Sequence, residues 1–228
     1  MRLTLPVAVT TGMMALLLMS AAHADNRRGG ATKEYTLTIT NLTKGQVFSP
    51  PVLVTHSEDV ALFTLGEPAL AELATVAEDG AGQPLADLAS TLPQVAETQA
   101  TSAALPPGET AEYQISSKRG FGVLSVVGML VNTNDAFFAI DSARLPRYRR
   151  TSVMYYALGY DAGSEENNEG CAYVPGPACR PESGNDRAIE KAEGFVHVHN
   201  GVHGIAGLGT AAYDWRNPVA LIKVERTR

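Results

Sequence analysis

The chain has 228 residues, of which 45% are hydrophobic, and a formal net charge of −6 at pH 7. This length suits one well-buried domain, since all-β domains reach about 200–250 residues. The acidic balance argues against a nucleic-acid partner, because phosphate backbones are bound by clustered Lys and Arg. The one basic cluster, within Arg144–Arg150, is short and is interpreted as a solvated turn.

The first residues have the pattern of a secretory signal peptide. A basic start at Arg2 is followed by the apolar run Ala15–Met19 and the small-x-small end Ala22–Ala24, so residues 1–24 are predicted to be cleaved. The apolar run is shorter than the roughly 20 residues of a membrane span, and no later segment approaches that length. We therefore predict an exported protein without a transmembrane segment, either periplasmic or secreted.

Residues 25–33 are polar and Gly-rich and predict a flexible lead-in before a single domain at 34–228. The first strand is predicted at Tyr35–Thr40, where apolar and Thr residues alternate. Pro50 and Pro51 precede the apolar run Val52–Thr55. Since proline donates no ladder hydrogen bond, an edge or interrupted strand is expected there.

Two short helices are predicted next, in a crossover. Pro68 is a plausible first helical residue with Gly80 as the stop, and Pro84 and Pro93 bound the second apolar stripe.

From Thr110 onward the chain is rich in strand patterns. Gly120–Val131 is almost entirely apolar, as expected for a central strand buried on both faces. Further strands are predicted at Ser152–Leu158, Phe195–His199 and Val219–Val224. Many short strands with helices confined to one insertion predict a mainly β fold, an antiparallel β-sandwich with a short helical insertion.

The only two cysteines, Cys171 and Cys179, are eight positions apart. In an exported protein this spacing predicts a local disulfide.

Acidic residues follow two of the apolar strands. Asp135 comes after the most buried strand, and Asp161 and Glu165 come after the next one, with Gly163 allowing a sharp turn between them. If both strands end at the same edge of the sandwich, these three carboxylates could share one cation, with Asn134 and backbone carbonyls completing the shell. The alternative is that Asp135 caps a turn and that the acidic loop is solvated, as we expect for Glu166 and Glu169.

Four segments carry a resemblance to a known family. Thr133-Asn134-Asp135-Ala136-Phe137-Phe138 and Tyr160-Asp161-Ala162-Gly163-Ser164-Glu165 resemble the Ser-Pro-Asp-Trp-Phe and Asp-Ala-Gly-Thr-Asp motifs of the spondin N-terminal domain, found in extracellular-matrix proteins such as F-spondin and mindin. Together with residues 197–204 and 213–218, they make the chain from Tyr35 onward similar to bacterial spondin-domain proteins.

The resemblance implies a sandwich similar to calcium-dependent membrane-docking domains, with Ca²⁺ at one end of the sheets. Its acidic ligands correspond to Asp135, Asp161 and Glu165 of this chain. Two positions depart from the motifs: Asn134 stands in place of Pro, and Glu165 in place of the second Asp.

A second possible metal site is the segment that holds His197, His199 and His203. Histidines at i and i+2 of a strand project to one face, and three imidazoles suit Zn²⁺ or Cu²⁺. The alternative is a structural role, in which these histidines bond neighbouring loops. Asp214 is the one nearby carboxylate that could orient a ligand.

The sequence contains no nucleophile elbow, phosphate loop or Ser-His-Asp arrangement, so an enzyme is not predicted. We predict an exported calcium-binding module that binds a protein or glycan at the cell envelope or outside the cell. A zinc or copper metalloprotein or hydrolase using the histidines is the alternative, and a purely structural envelope protein is the third hypothesis.

Overall fold

Residues 31–228, the part of the chain that the computed structural model describes, contain nine β-strands and three short α-helices. The strands are β1 (Lys33–Asn41), β2 (Val52–His56), β3 (Val95–Ala100), β4 (Thr110–Ser117), β5 (Val123–Met129), β6 (Ala136–Arg144), β7 (Ser152–Asp161), β8 (His197–Val198) and β9 (Ala220–Arg226). The helices are α1 (Ala71–Asp79), α2 (Gln83–Ser90) and α3 (Thr210–Tyr213). The predicted signal peptide at 1–24 lies outside the described residues.

The strands form two antiparallel sheets that share β7. Their order is β3-β2-β5-β6-β7-β9-β1-β4, with β8 added beside β7. The first part of β7, Ser152–Ala157, pairs with β9, whereas its last residues, from Leu158 to Asp161, pair with β6. Because β7 changes partner along its length, the strands fold over one core, and the predicted mainly β sandwich is confirmed.

The main core lies between the two sheets. The alternation in β1 is confirmed, since Tyr35, Leu37 and Ile39 are buried and the residues between them are less so. Phe48 and Phe138 stack at the centre with ring centroids 4.2 Å apart.

A second apolar layer explains why every residue of β5 is buried. Helices α1 and α2 cover the outer side of β2, β5 and β6, where Val127 and Phe137 pack against Leu73 and Val76. The helical insertion is therefore confirmed, although α1 begins at Ala71 and not at Pro68.

The prediction that Val52–Thr55 lies at an edge is wrong. Strand β2 pairs with β3 on one side and with β5 on the other. Pro50 and Pro51 precede the strand, so their missing N–H groups remove no bond from its ladders. Its neighbour β3, which sequence patterns did not reveal, is half-buried throughout.

The disulfide between Cys171 and Cys179 is confirmed. It closes a loop of two short 3₁₀ turns, and the Ala178 N–H of this loop donates to Asn132 between β5 and β6. Over residues 31–228, no helix combines the length and the apolar composition that crossing a membrane requires.

Candidate metal centre

Asp135 and Asp161 meet at one end of the sandwich. In the antiparallel register of β6 and β7, Ala136 pairs with Asp161, so Asp135 lies one residue beyond the pair. Both aspartates are 0% exposed. The two acidic segments therefore converge, although the carboxylate oxygens of Asp135, Asp161 and Glu165 do not all lie within 4.8 Å of one another.

The two oxygens of the Asp135 carboxylate have different surroundings. Oδ2 accepts the backbone N–H groups of Ser164 at 2.7 Å and Glu165 at 2.9 Å, and also the Ser164 hydroxyl at 3.2 Å. Oδ1 is buried and accepts no hydrogen bond from any residue that the structure describes. Burial, and then the charge of Asp161, raise the pKa of Asp135 to about 8.

The Asp161 carboxylate accepts the Gly163 N–H at 2.7 Å and the Asn167 side-chain amide at 2.6 Å. Two imidazoles approach it, with Nε2 of His197 3.6 Å from Oδ1 and Nε2 of His199 3.6 Å from Oδ2. Burial raises the pKa of Asp161. Among residues 31–228, no Lys or Arg lies within 4.0 Å of the Asp135 or Asp161 carboxylate.

The Glu165 carboxylate has a different neighbour. Its Oε1 lies 3.6 Å from Nη1 of Arg187, which also forms ion pairs with Glu78 at 2.8 Å and Asp79 at 2.6 Å. Burial, and then the charge of Glu78, raise the pKa of Glu165 to about 7 despite Arg187. Neither Glu165 oxygen accepts a hydrogen bond from the described residues. Its backbone thus supports Asp135, while its side chain is next to Arg187.

Asn134 is buried and links two loops. Its side-chain oxygen accepts the Glu169 N–H at 3.2 Å, and its amide donates to Asn168 at 3.2 Å.

The three histidines of the predicted cluster have three different environments. His199 is buried, and its Nδ1 accepts the Gly201 N–H at 2.9 Å, so Nε2 carries the proton and donates to Asn167 at 3.0 Å. Burial lowers the pKa of His199 to about 3, which keeps the ring neutral. His203 is exposed.

His197 joins a mixed group with two carboxylates. One possible ligand atom from each of His197, Asp161 and Glu193 lies within 4.8 Å of the other two. In the described part of the chain, this is the one group of three His, Cys, Asp or Glu side chains that meets this limit. Sequence reasoning missed Glu193, because it stands in a polar segment without a motif.

The expectation that Glu169 is solvated is wrong. It is 5% exposed, and its carboxylate accepts the backbone N–H groups of His203, Gly204 and Ile205 at 2.5–2.9 Å. Successive N–H groups form an anion-binding concavity, which a carboxylate of the same chain fills here. Glu169 therefore fixes the loop after the histidines.

A cavity of about 230 Å³ opens beside these groups. Polar side chains form much of its wall, including Asn134, Asn167, Glu193, His197, His199 and His203. Oxygen and nitrogen donors therefore meet at a space large enough for an ion and small ligands.

A scan against protein-family models found no match to this chain, and a search among curated proteins found none similar to it. The spondin resemblance stays a prediction.

Proposed function

We propose that the chain is an exported calcium-binding β-sandwich that acts as a binding or adhesion module for a protein or glycan. The observation that carries the proposal is Asp135 Oδ1, a buried carboxylate oxygen that accepts no hydrogen bond from the described residues. Buried charges are normally paired or bound to a metal ion, because an isolated one costs far more than a hydrogen-bonded one.

Within residues 31–228, the neighbours of Asp135 supply negative charge, and no Lys or Arg lies within 4.0 Å to balance it. The charge of Asp161 raises the pKa of Asp135, and His199, which faces Asp161, is neutral at physiological pH. A divalent cation would neutralise two such carboxylates. Ca²⁺ suits the oxygen donors at this end, since it takes six to eight oxygen ligands at about 2.3–2.6 Å.

Asp135 and Asp161 are the proposed central ligands, with the Glu165 carboxylate and Asn134 as further oxygen donors. Bound Ca²⁺ would supply positive charge that ties the loop after β7 to the start of β6. Glu165 can serve as a ligand because both of its carboxylate oxygens are buried and accept no hydrogen bond from the described residues. To bind the ion, its side chain must move away from Arg187.

Export and a surface partner are supported by the predicted signal peptide and by the disulfide, which is typical of oxidising compartments. The family resemblance supports the same role. The alternative site of three histidines has less support, because both ring nitrogens of His199 are already used in hydrogen bonds.

Calorimetric titration of the chelator-treated full chain with Ca²⁺ tests the proposal. We expect one ion per chain with a Kd of about 10⁻⁴–10⁻³ M, the range of extracellular modules. Asp135→Asn should weaken binding more than about tenfold, since it removes a ligand charge but keeps an oxygen for the Ser164 and Glu165 N–H groups. The matched control is Asp59→Asn, which changes an exposed aspartate. Unchanged Ca²⁺ affinity in Asp135→Asn would refute the site.

A further inference from the structure

We propose a second metal site, for Zn²⁺ or a similar first-row transition metal, formed by Asp161, Glu193 and His197. It goes beyond the calcium proposal in its metal and in two of its three ligands. Asp161 is common to both sites.

The pairing of β8 with β7 brings the first two ligands together. His197 is the register partner of Asp161 in this antiparallel pair. Side chains of directly opposed residues start only about 4.5–5.5 Å apart at Cβ, so their polar ends meet on one face. Nε2 of His197 accordingly lies 3.6 Å from Asp161 Oδ1.

A hydrogen bond at Nδ1 of His197 fixes which ring nitrogen carries the proton. Nδ1 lies 3.1 Å from the Val198 carbonyl oxygen. Since a carbonyl only accepts, Nδ1 must carry a proton, which leaves Nε2 of the neutral ring with a lone pair. Metal-binding histidines typically have such a bond from the second nitrogen to a carbonyl or carboxylate.

Nε2 itself is buried and forms no hydrogen bond to the described residues. Its lone pair is directed toward two carboxylates, an arrangement that is repulsive without a positive charge between them. A dication balances the two carboxylate charges and accepts the lone pair at the same time.

The distance between His197 and Asp161 and the types of donor atom favour zinc. Ligands about 2.0–2.2 Å from a tetrahedral Zn²⁺ lie about 3.3–3.6 Å from one another. The 3.6 Å between His197 Nε2 and Asp161 Oδ1 is at the upper end of that range. An imidazole with two carboxylates suits Zn²⁺ better than Ca²⁺, which prefers oxygen alone. Glu193 and His197 also line the cavity, which offers space beside them for a small ligand.

Two contacts hold Glu193 at the site. Its Oε1 lies 3.3 Å from the Asn167 amide, which also donates to Asp161. The next residue, Gly194, donates its N–H to the Gly163 carbonyl at 2.8 Å. The turn after β7 therefore fixes the segment that carries the third ligand.

Titration of the chelator-treated full chain with Zn²⁺ tests this site, with the d–d absorption spectrum of the Co²⁺ form as a second measurement. We expect one saturable ion per chain, and at least about tenfold weaker binding in both Glu193→Gln and His197→Gln. Glu193 is exposed, so Glu193→Gln should leave the fold intact. Glu190→Gln is the matched control, because it neutralises another exposed acid nearby.

Different variants distinguish the Ca²⁺ site from the Zn²⁺ site. Asp135→Asn should lose Ca²⁺ and keep Zn²⁺, Glu193→Gln should do the reverse, and Asp161→Asn should lose both. If Zn²⁺ does not saturate the chain, or if Glu193→Gln binds it like the wild type, the second site is wrong.

Discussion

Replacing Gly163 with alanine is expected to lower the free energy of unfolding by more than about 3 kcal/mol. Gly163 has a φ of 66°, in the left-handed region that alanine rarely adopts. A Cβ there would lie 2.3 Å from the Phe195 carbonyl oxygen and 2.6 Å from the Phe195 nitrogen. The backbone after Glu193 would therefore have to move away from the turn, and β8 would lose its pairing with β7.

Thermal unfolding measures the first effect, which corresponds to about 6–12 °C for a domain of this size. Zn²⁺ binding should also weaken more than tenfold, because Glu193 and His197 are on the displaced segment. Gly194→Ala is the matched control, since its φ is 79° but, apart from its two chain neighbours, no atom of the described residues lies within 4 Å of the added Cβ. That control should cost only about 1–2 kcal/mol. If both variants lose the same free energy of unfolding, the close approach of Phe195 to Gly163 does not explain the loss.

The metal-free chain is expected to lose about 2 kcal/mol of stability between about pH 6.5 and pH 8. In the folded protein, the pKa of Asp135 is raised to about 8 and that of Glu165 to about 7. Both values exceed those of the unfolded chain, so the folded state holds more protons in this window. The stability that Asp135 and Glu165 contribute is therefore greatest below their unfolded pKa values and falls as their protons leave.

His199 acts in the opposite direction at lower pH. Its folded pKa, near 3, is below its unfolded value, so it removes stability as the pH falls below about 6.5. Between about pH 4 and 6.5, the contributions of His199 and Asp135 offset each other, so the raised pKa of Glu165 still leaves a net loss of stability as the pH rises.

Denaturant unfolding in the presence of a chelator, at several pH values, measures these effects. Asp135→Asn should remove most of the loss above pH 6.5. Saturating Ca²⁺ should do the same in the wild type, because the proposed ion replaces the protons. A wild-type stability that rises from pH 6.5 to 8 without metal would contradict the proposed environment of Asp135.

Sequence patterns were sufficient where local chemistry decides the structure. The alternation in β1 predicted burial of one face, and the continuous apolar run of β5 predicted burial of both faces. The structure shows both. They failed for β2, whose two prolines suggested an edge, because partner strands are chosen by the whole sheet. They also missed β3, which has no strong alternation.

In the candidate site, too, local features could be predicted from the sequence and long-range contacts could not. By itself, the sequence determined that carboxylates follow two apolar strands and that its two cysteines can pair, since both depend on local spacing. Only the tertiary structure decided that Glu165 faces Arg187, that Glu169 is buried and that Glu193 joins Asp161 and His197. These outcomes depend on how the chain between Glu166 and Phe195 returns to β7, over a distance at which side-chain periodicity carries no information.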